Sequence, residues 1–406
     1  MWRAILERFK MPALRVMQPA TLARKRVLVR VDYNVPMQQG QVSDISRIER
    51  TVPTLRALLE QGAKVILLSH LGRPQQRDAA YSLAPVLSHL QRFFPDAHVS
   101  FIEDCLGEKV EQAIAAMNYG SILLLENVRF YAEEEAGDKD FAAALATLAD
   151  AYVDDAFACA HRAHASITGI AECVPAYAGL LLALEVEALE RYLDQPKRPL
   201  AAIIGGAKIS TKLALIENLL PKVDLLMVGG AMANSFLVAQ GHPVGTSLYE
   251  PEMVATAQRI LQQAGAKLLL PSDVVVTDAL DHPSDIQTVA VSAIPADRMV
   301  VDCGPATLAA LCQALAGYQM VIWNGPLGVF EVPEFAKGTL SLAKFIAEAT
   351  SAGGLESLAG GGDSVAALTQ TGLIDQFSYV STAGGAFLEW LEGKSLPGVA
   401  VLYQVA

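Results

Sequence analysis

Short apolar runs rich in Val, Ile and Leu recur along almost the whole chain, and stretches with helical periodicity fill the intervals between them. In the first half the runs are 26–31, 64–68, 98–102, 122–125 and 151–154. In the second half they are 200–204, 224–228, 266–270, 274–276, 299–301, 320–323 and 379–381. Residues 54–61 and 251–264 show the 3.6-residue period between them. Strand-like runs alternating with helices predict βαβ units, hence an α/β fold with parallel sheets. Residues 181–192 carry apolar side chains at 181, 184, 188, 189 and 192, with Glu187 and Arg191 one turn apart on the other face. Pro196 and Pro199 forbid continuation of that helix. It reads as a helix and linker, 183–199, joining a first domain, 1–182, to a second, 200–392.

Composition narrows the class. A chain of 406 residues, 52% apolar and 18% charged, is long enough for two cores and too apolar for disorder. No apolar run reaches the roughly 20 residues of a membrane helix. The five cysteines form an odd set with no CxxC, which predicts reduced thiols in a cytoplasmic protein, and no His/Cys group has zinc spacing. The start, 1–11, is basic and amphipathic without a secretory core, and Met11 is a plausible alternative first residue. Net charge is −12, but residues 1–130 hold 17 Lys/Arg against 12 Asp/Glu. The global acidity argues against nucleic acid as a partner, while the basic first third suits a small anion.

Candidate chemistry lies where the runs end. Arg47, Arg73, Arg129 and Arg162 each follow a strand-like run in the first half, within loops that should share one ligand crevice. Guanidinium forks grip phosphate and carboxylate bidentately. Asp32 and Asn34, two apart after the first run, can accept from a hydroxyl or make an Asx-turn. His70, His161 and His164 lie beside arginines, where donation to phosphate suits them better than general-base work. The second half offers glycine turns: Gly229-Gly230-Ala231, Gly360-Gly361-Gly362-Asp363-Ser364 and Ala383-Gly384-Gly385. Such turns let backbone N–H groups and a helix N-terminus approach phosphate, and Asp363 suits Mg²⁺. Lys208 and Lys212 are expected four apart on one face of a starting helix, and the turn after Trp323 ends in Glu331.

Taken together, RVDYNVP (30–36), SDISRI (43–48), SHLGRP (69–74), LLLENVRF (123–130), HRAHAS (161–166), GGAKISTKL (205–213), KVDLLMVGGAMANSF (222–236), VIWNGPLGVFE (321–331), AKGT (336–339), GGGDS (360–364) and STAGGA (381–386) strongly resemble the phosphoglycerate kinases, in that family's order. The resemblance implies two doubly wound, Rossmann-like parallel-sheet domains facing a cleft, with the tail 393–406 packing back on the first. It implies reversible phosphoryl transfer from 1,3-bisphosphoglycerate to Mg-ADP, as a monomer that closes its domains on small-molecule substrates. Carried over by motif, Asp32 and Asn34 hold the glycerate end, while His70, Leu71, Gly72, Arg73, Arg129 and Arg162 hold its phosphate. Arg47 and Lys208 serve the transferring phosphoryl, with Gly362 and Gly385 beside it. Gly206, Lys212, Gly230, Asn324, Glu331, Gly361, Gly362, Asp363 and Ser364 hold the nucleotide, with Asp363 on Mg²⁺. The chain departs from the family's pattern at Ala231, Ala306, Ala383 and Phe387. A non-catalytic paralogue would not need Arg47, Lys208 and Asp363 together, and a nicotinamide dehydrogenase would need the GxGxxG that is absent.

Overall fold

The computed structural model describes residues 13–403, so the basic start and the last three residues of the tail lie outside the described residues. Among the described residues, 13–187 with 395–403 form one compact unit, and Ala188–Lys394 form another. The chain passes between them within the helix Leu180–Leu193.

The first unit is built on strands β1 (Arg26–Arg30), β4 (Lys64–Leu68), β5 (Val99–Phe101), β6 (Ile122–Leu124), β7 (Ala151–Asp154) and β8 (Ala176–Ala178). They form a parallel sheet in the order β5-β6-β4-β1-β7-β8. Its central strands are buried on both faces, which explains their near-continuous Val, Ile and Leu content. Ile48, Val52, Leu55 and Leu58 line one face of the helix Ser46–Glu60 and pack against the sheet. A small hairpin, β2 (Met37–Gln38) with β3 (Gln41–Val42), lies before that helix. The C-terminal segment belongs here as well: the Arg15 amide donates to the Leu402 carbonyl and the Gly398 amide to that of Ala160, each at 2.9 Å.

The second unit repeats the plan with β9 (Leu200–Ile204), β10 (Leu225–Val228), β11 (Leu268–Leu269), β15 (Met320–Asn324), β16 (Glu356–Gly360) and β17 (Tyr379–Ser381). Their order is β11-β10-β9-β15-β16-β17, again all parallel. In each sheet the chain winds outward in opposite directions from one central strand pair, β1/β7 or β9/β15. That is the switch point where open α/β sheets bind ligands.

Two expectations need correction. The runs at 274–276 and 299–301 are not part of the parallel sheet. They lie in a separate antiparallel sheet of β12 (Asp273–Thr277), β13 (Ile286–Ala290) and β14 (Met299–Cys303), in the order β13-β12-β14. The connection at 278–285 is too short for the crossover helix that parallel pairing of β12 with β13 would require. Arg47 also sits in the first turn of a helix rather than in a loop, because Asp44 Oδ1 accepts the Ser46 amide at 2.8 Å and starts the helix early.

Candidate active site

At the carboxyl edge of the first sheet the loops are tied together by side chains. Ser69, directly after β4, accepts from the Tyr33 amide at 2.8 Å and donates to the Val31 carbonyl at 2.7 Å, which fixes the loop after β1 against the loop after β4. Asn34 Oδ1 then accepts from the Gly72 amide at 2.8 Å, while the Asn34 amide closes an Asx-turn on Asp32 Oδ1 at 3.1 Å. Of the two sequence readings, the Asx-turn is the one formed, and Asp32 Oδ2 accepts from Arg47 Nη1. Arg129 donates to the Gly72 carbonyl at 2.7 Å and pairs with Glu135 at 3.0 Å. Asn127 holds this side by donating to the carbonyls of Leu71 at 2.7 Å and Tyr81 at 2.9 Å.

The same edge concentrates positive charge around two imidazoles. His70 is 4% exposed, and burial together with Arg30, Arg129 and Arg47 holds its ring well below the usual histidine range. Burial and Arg129 push His164 down to about 4, with Arg30 and Arg162 adding to the effect and Glu135 opposing it. Both rings are neutral near pH 7. Asp32, Asn34, Arg47, His70, Leu71, Gly72 and Arg129 are thus brought into one bonded group. Arg73 and Arg162 are exposed on the loops after β4 and β7, and among the described residues no side-chain bond ties them to it.

Asp32, His70 and Cys159 also place one ligand atom each within 4.8 Å of one another, a grouping that sequence spacing did not reveal. It is a poor metal site. The Arg30 guanidinium stands 3.1 Å from His70 Nδ1 and 3.9 Å from Cys159 Sγ, and burial pushes the thiol up to about 12, away from the thiolate a metal needs.

The second sheet's edge is assembled from backbone. Gly205, after β9, donates to the Asn324 carbonyl at 2.8 Å, and a Cβ at Gly205 would lie 1.9 Å from the Pro326 carbonyl oxygen. Gly230 has φ +68°, and a Cβ there would stand 2.5 Å from the Gly206 carbonyl oxygen and 2.7 Å from its nitrogen. Asn324 donates to the Gly360 carbonyl at 2.6 Å and accepts from Lys212 Nζ at 2.5 Å. Ser364 Oγ accepts from the Gly325 amide at 2.7 Å. These contacts bring Gly206, Lys212, Gly230, Asn324, Gly361 and Ser364 together. Gly206, Gly230, Val300, Asp302, Leu327, Glu331 and Asp363 line a cavity of about 270 Å³. Gly362 and Asp363 form the first turn of the helix Gly362–Thr371, with open space around Gly362.

One expectation changes here. Lys208 and Lys212 do not share a helix face: the helix is Leu213–Leu219, Lys212 is its N-cap, and Lys208 is exposed in the turn before it. The Ser210 side chain and amide bond Glu250, and this holds the turn out of helical geometry. The left-handed position in the last glycine turn falls on Gly384, φ +49°, so Ala383 is unstrained. Ala306 lies in the first turn of its helix, where its amide donates to Asp273 at 3.0 Å. Sequence reading assigned no role to Arg30, Glu134, Ser166 or Asp302. The only signal was charge inside an apolar run at Arg30 and Asp302. Asp302 is buried and pushed up to about 6 by burial, although the Gly338 and Cys303 amides bond it.

Comparison with known proteins bears on what this pair of edges does. The family model described as phosphoglycerate kinase matches residues 17–394. A phosphoglycerate kinase of Azorhizobium caulinodans is 51% identical over 97% of this chain and 100% of its own length. That of Granulibacter bethesdensis is 52% identical over 93% of this chain and 96% of its own. Among solved structures, phosphoglycerate kinase from Coxiella burnetii superposes with a TM-score of 0.88 at 43% identity, covering 96% of this chain and 99% of that one. The enzyme from Pyrococcus horikoshii gives 0.80 at 31% identity, over 94% and 96%. With a match this complete in both sequence and fold, the chain belongs to the phosphoglycerate kinase family, the phosphotransferases that act between ATP and 3-phospho-D-glycerate.

Proposed function

We propose that the two sheet edges divide the family's reaction between them, the first unit holding the phosphoglycerate and the second the Mg-nucleotide. The observation that carries this reading is the bonded group of Asp32, Asn34, Arg47, His70 and Arg129 at one switch point, set against a glycine cavity at the other. Asp32 and Asn34 take the glycerate hydroxyl and carboxyl end. His70, Arg73, Arg129 and Arg162 hold the phosphate that does not react. Arg47, bonded to Asp32, and Lys208 serve the phosphoryl in transfer. Lys212 and the backbone at 361–364 take the nucleotide phosphates, Gly385 lies beside them, and Glu331 accepts from the ribose.

The transferring group needs little covalent help. Positioning and charge stabilisation dominate phosphoryl transfer, and the leaving group is a carboxylate, so no strong general base is required. Neutral histidines held below the usual range are weak bases that still donate one N–H, which suits binding an anion. Mg²⁺ fits the second edge: Asp363 lines the cavity with Gly206 and Gly230, and at Gly230 the Gly206 backbone leaves no room for a Cβ that would fill the cradle. Asp363 would hold the ion, which when bound would neutralise phosphate charge. Among the described residues no helix is long and apolar enough to cross a membrane, and a cytoplasmic monomer is the form we assign.

Isothermal titration separates the two halves. Arg129→Ala is expected to weaken 3-phosphoglycerate by about tenfold or more, the cost of one charge-assisted bond, and to leave ADP unchanged. Equal loss of both ligands would defeat the division.

A further inference from the structure

Arg30 ends β1 and is 1% exposed, yet it carries a full charge into the first unit's core. All three of its nitrogens are engaged. Nε donates to Ser166 Oγ at 2.9 Å, Nη1 donates to the Val31 carbonyl, and Nη2 stands 3.1 Å from His70 Nδ1. Ser166 in turn donates from its hydroxyl to Glu134 Oε1 at 2.6 Å and from its amide to Glu134 Oε2 at 2.8 Å. The guanidinium is therefore held from behind by a buried Glu134–Ser166 pair and faces the imidazole.

A guanidinium has donors only. Whatever nitrogen it meets must accept, so His70 Nδ1 carries no proton and the neutral ring keeps its proton on Nε2. The alternative partner is close. Asp32 Oδ1 lies 3.9 Å from the same Nδ1 and would draw a proton onto it if Arg30 were absent. Arg30 and Asp32 thus compete to decide the state of one ring nitrogen, and the shorter contact belongs to Arg30. Among the described residues no protein group bonds Nε2, which leaves it for a ligand.

We propose that Arg30 is a positioning residue that sets the tautomer of His70, so that the ring presents an N–H rather than a lone pair to the anionic substrate. The proposal rests on the reading that His70 belongs to the phosphoglycerate site. An Nδ1–H ring would aim its Nε2 lone pair at the ligand's oxygens and repel them. The groups that face His70 are Arg30 from β1, Asp32 from the loop after it, Arg47 from the helix Ser46–Glu60, Arg129 from the turn after β6, and Cys159 and His164 from the segment after β7. Arg30, Arg47, Arg129 and His164 oppose a second proton on the ring, and the Asp32 carboxylate, 3.9 Å from Nδ1, favours it.

The test is ¹⁵N-histidine spectroscopy on the full chain, with His70 assigned by loss of its signals in His70→Asn. In the wild type, Nδ1 is expected unprotonated and Nε2 protonated from about pH 5.5 to about pH 8, with Nε2–H shifting when 3-phosphoglycerate is added. A protonated Nδ1 in the free wild type overturns the proposal outright, without any variant. In Arg30→Met, Nδ1 should gain a proton toward Asp32. Its KM for 3-phosphoglycerate should then rise about tenfold between those pH limits, where the wild type stays flat. Arg30→Lys, which also has donors only, should keep Nδ1 bare and the profile flat, whereas a merely structural role would make both substitutions equally harmful. A wild-type tautomer and flat profile in Arg30→Met sink the idea, as does a protonated Nδ1 in Arg30→Lys. If the tautomer is as expected but 3-phosphoglycerate leaves Nε2–H unmoved, the substrate assignment of His70 fails while the role of Arg30 in fixing the ring stands.

Discussion

The two units share one architecture, a six-stranded parallel sheet with a switch point at its centre, and furnish it by opposite means. At the first edge the contacts are made by side chains: Arg47 to Asp32, Arg30 to His70, and Ser69 to the backbone of the loop after β1. At the second they run between backbones, with Gly205 against Asn324 and Pro326, and Gly230 against Gly206. Charged side chains read the shape of a small ligand and stabilise charge that moves, but they must be desolvated and mutually arranged. Backbone donors cannot titrate and cost no side-chain entropy, but they need the absence of a Cβ at close approach. The first edge should therefore be sensitive to charge and the second to volume.

Removing the charge at Arg47 is expected to give the largest effect. Arg47→Ala should lower turnover by about 10³ or more, the scale on which arginines act in phosphoryl transfer, with ADP affinity nearly unchanged. Steady-state kinetics and ADP titration check it together. Loss of ADP affinity in step with turnover would erase the contrast between the edges.

Adding one carbon at the second edge comes next. In Gly230→Ala the new Cβ meets the Gly206 backbone at a left-handed φ, so the loop must shift, and a displacement near 1 Å costs about 100-fold in a site of this kind. The KM for ADP should rise on that scale while 3-phosphoglycerate still binds. Gly362→Ala is the internal control: nothing lies within 4 Å of its Cβ position, and its stability should stay within about 0.5 kcal/mol of the wild type. If the two alanines behave alike, steric room is not what the glycines supply.

Lys212 is where the second edge does rely on a side chain. Burial holds its ammonium below the usual lysine range, with Asp363 and Glu392 opposing, and it donates to Asn324 Oδ1 at 2.5 Å. Lys212→Ala should raise the KM for ADP about tenfold and move the KM for 3-phosphoglycerate little. A wild-type KM for ADP would detach Lys212 from the nucleotide.

The contrast also explains what could be read from the sequence. Apolar strand runs and their closing loops were legible because parallel strands are buried on both faces, and β4, β7, β9 and β17 lie where the pattern puts them. β16 was not, because Glu-Ser-Leu-Ala-Gly has too little apolar content to stand out, although it carries the 361–364 turn. Loop arginines and glycines announced themselves by type and place. Arg30, Glu134 and Ser166 did not, since their meaning lies in a chain of bonds across 136 positions that no local window contains. The two lysines at 208 and 212 misled for a related reason: spacing suggested a helix, and a bond from Ser210 to the distant Glu250 prevents it.

The charged edge should also carry a cost in stability that shows as pH dependence, the smallest of these effects. Asp154, which ends β7 and pairs in register with Arg30, is fully buried, and burial pushes its carboxyl up to about 7. The Ala156 amide and Arg30 pull it down, and Asp155 pushes it up further. A carboxyl raised on folding keeps its proton between about pH 4 and about pH 7, where the unfolded chain has lost it, so stability falls as pH rises through that window. Above it the charge is present in both states and the full cost of burying it is felt. Asp154→Asn keeps an acceptor for the Ala156 amide, bonded at 2.9 Å, and cannot ionise. Urea unfolding at pH 8 should find this variant more stable than the wild type by roughly 1 kcal/mol, with the gain gone near pH 4. A tenfold change in an acid's ionisation constant is worth about 1.4 kcal/mol, and water penetration erodes the cost of burial well below its dry limit. A variant less stable at pH 8 would mean that the attraction of Arg30 outweighs desolvation, and that the first edge holds its charges at no net cost.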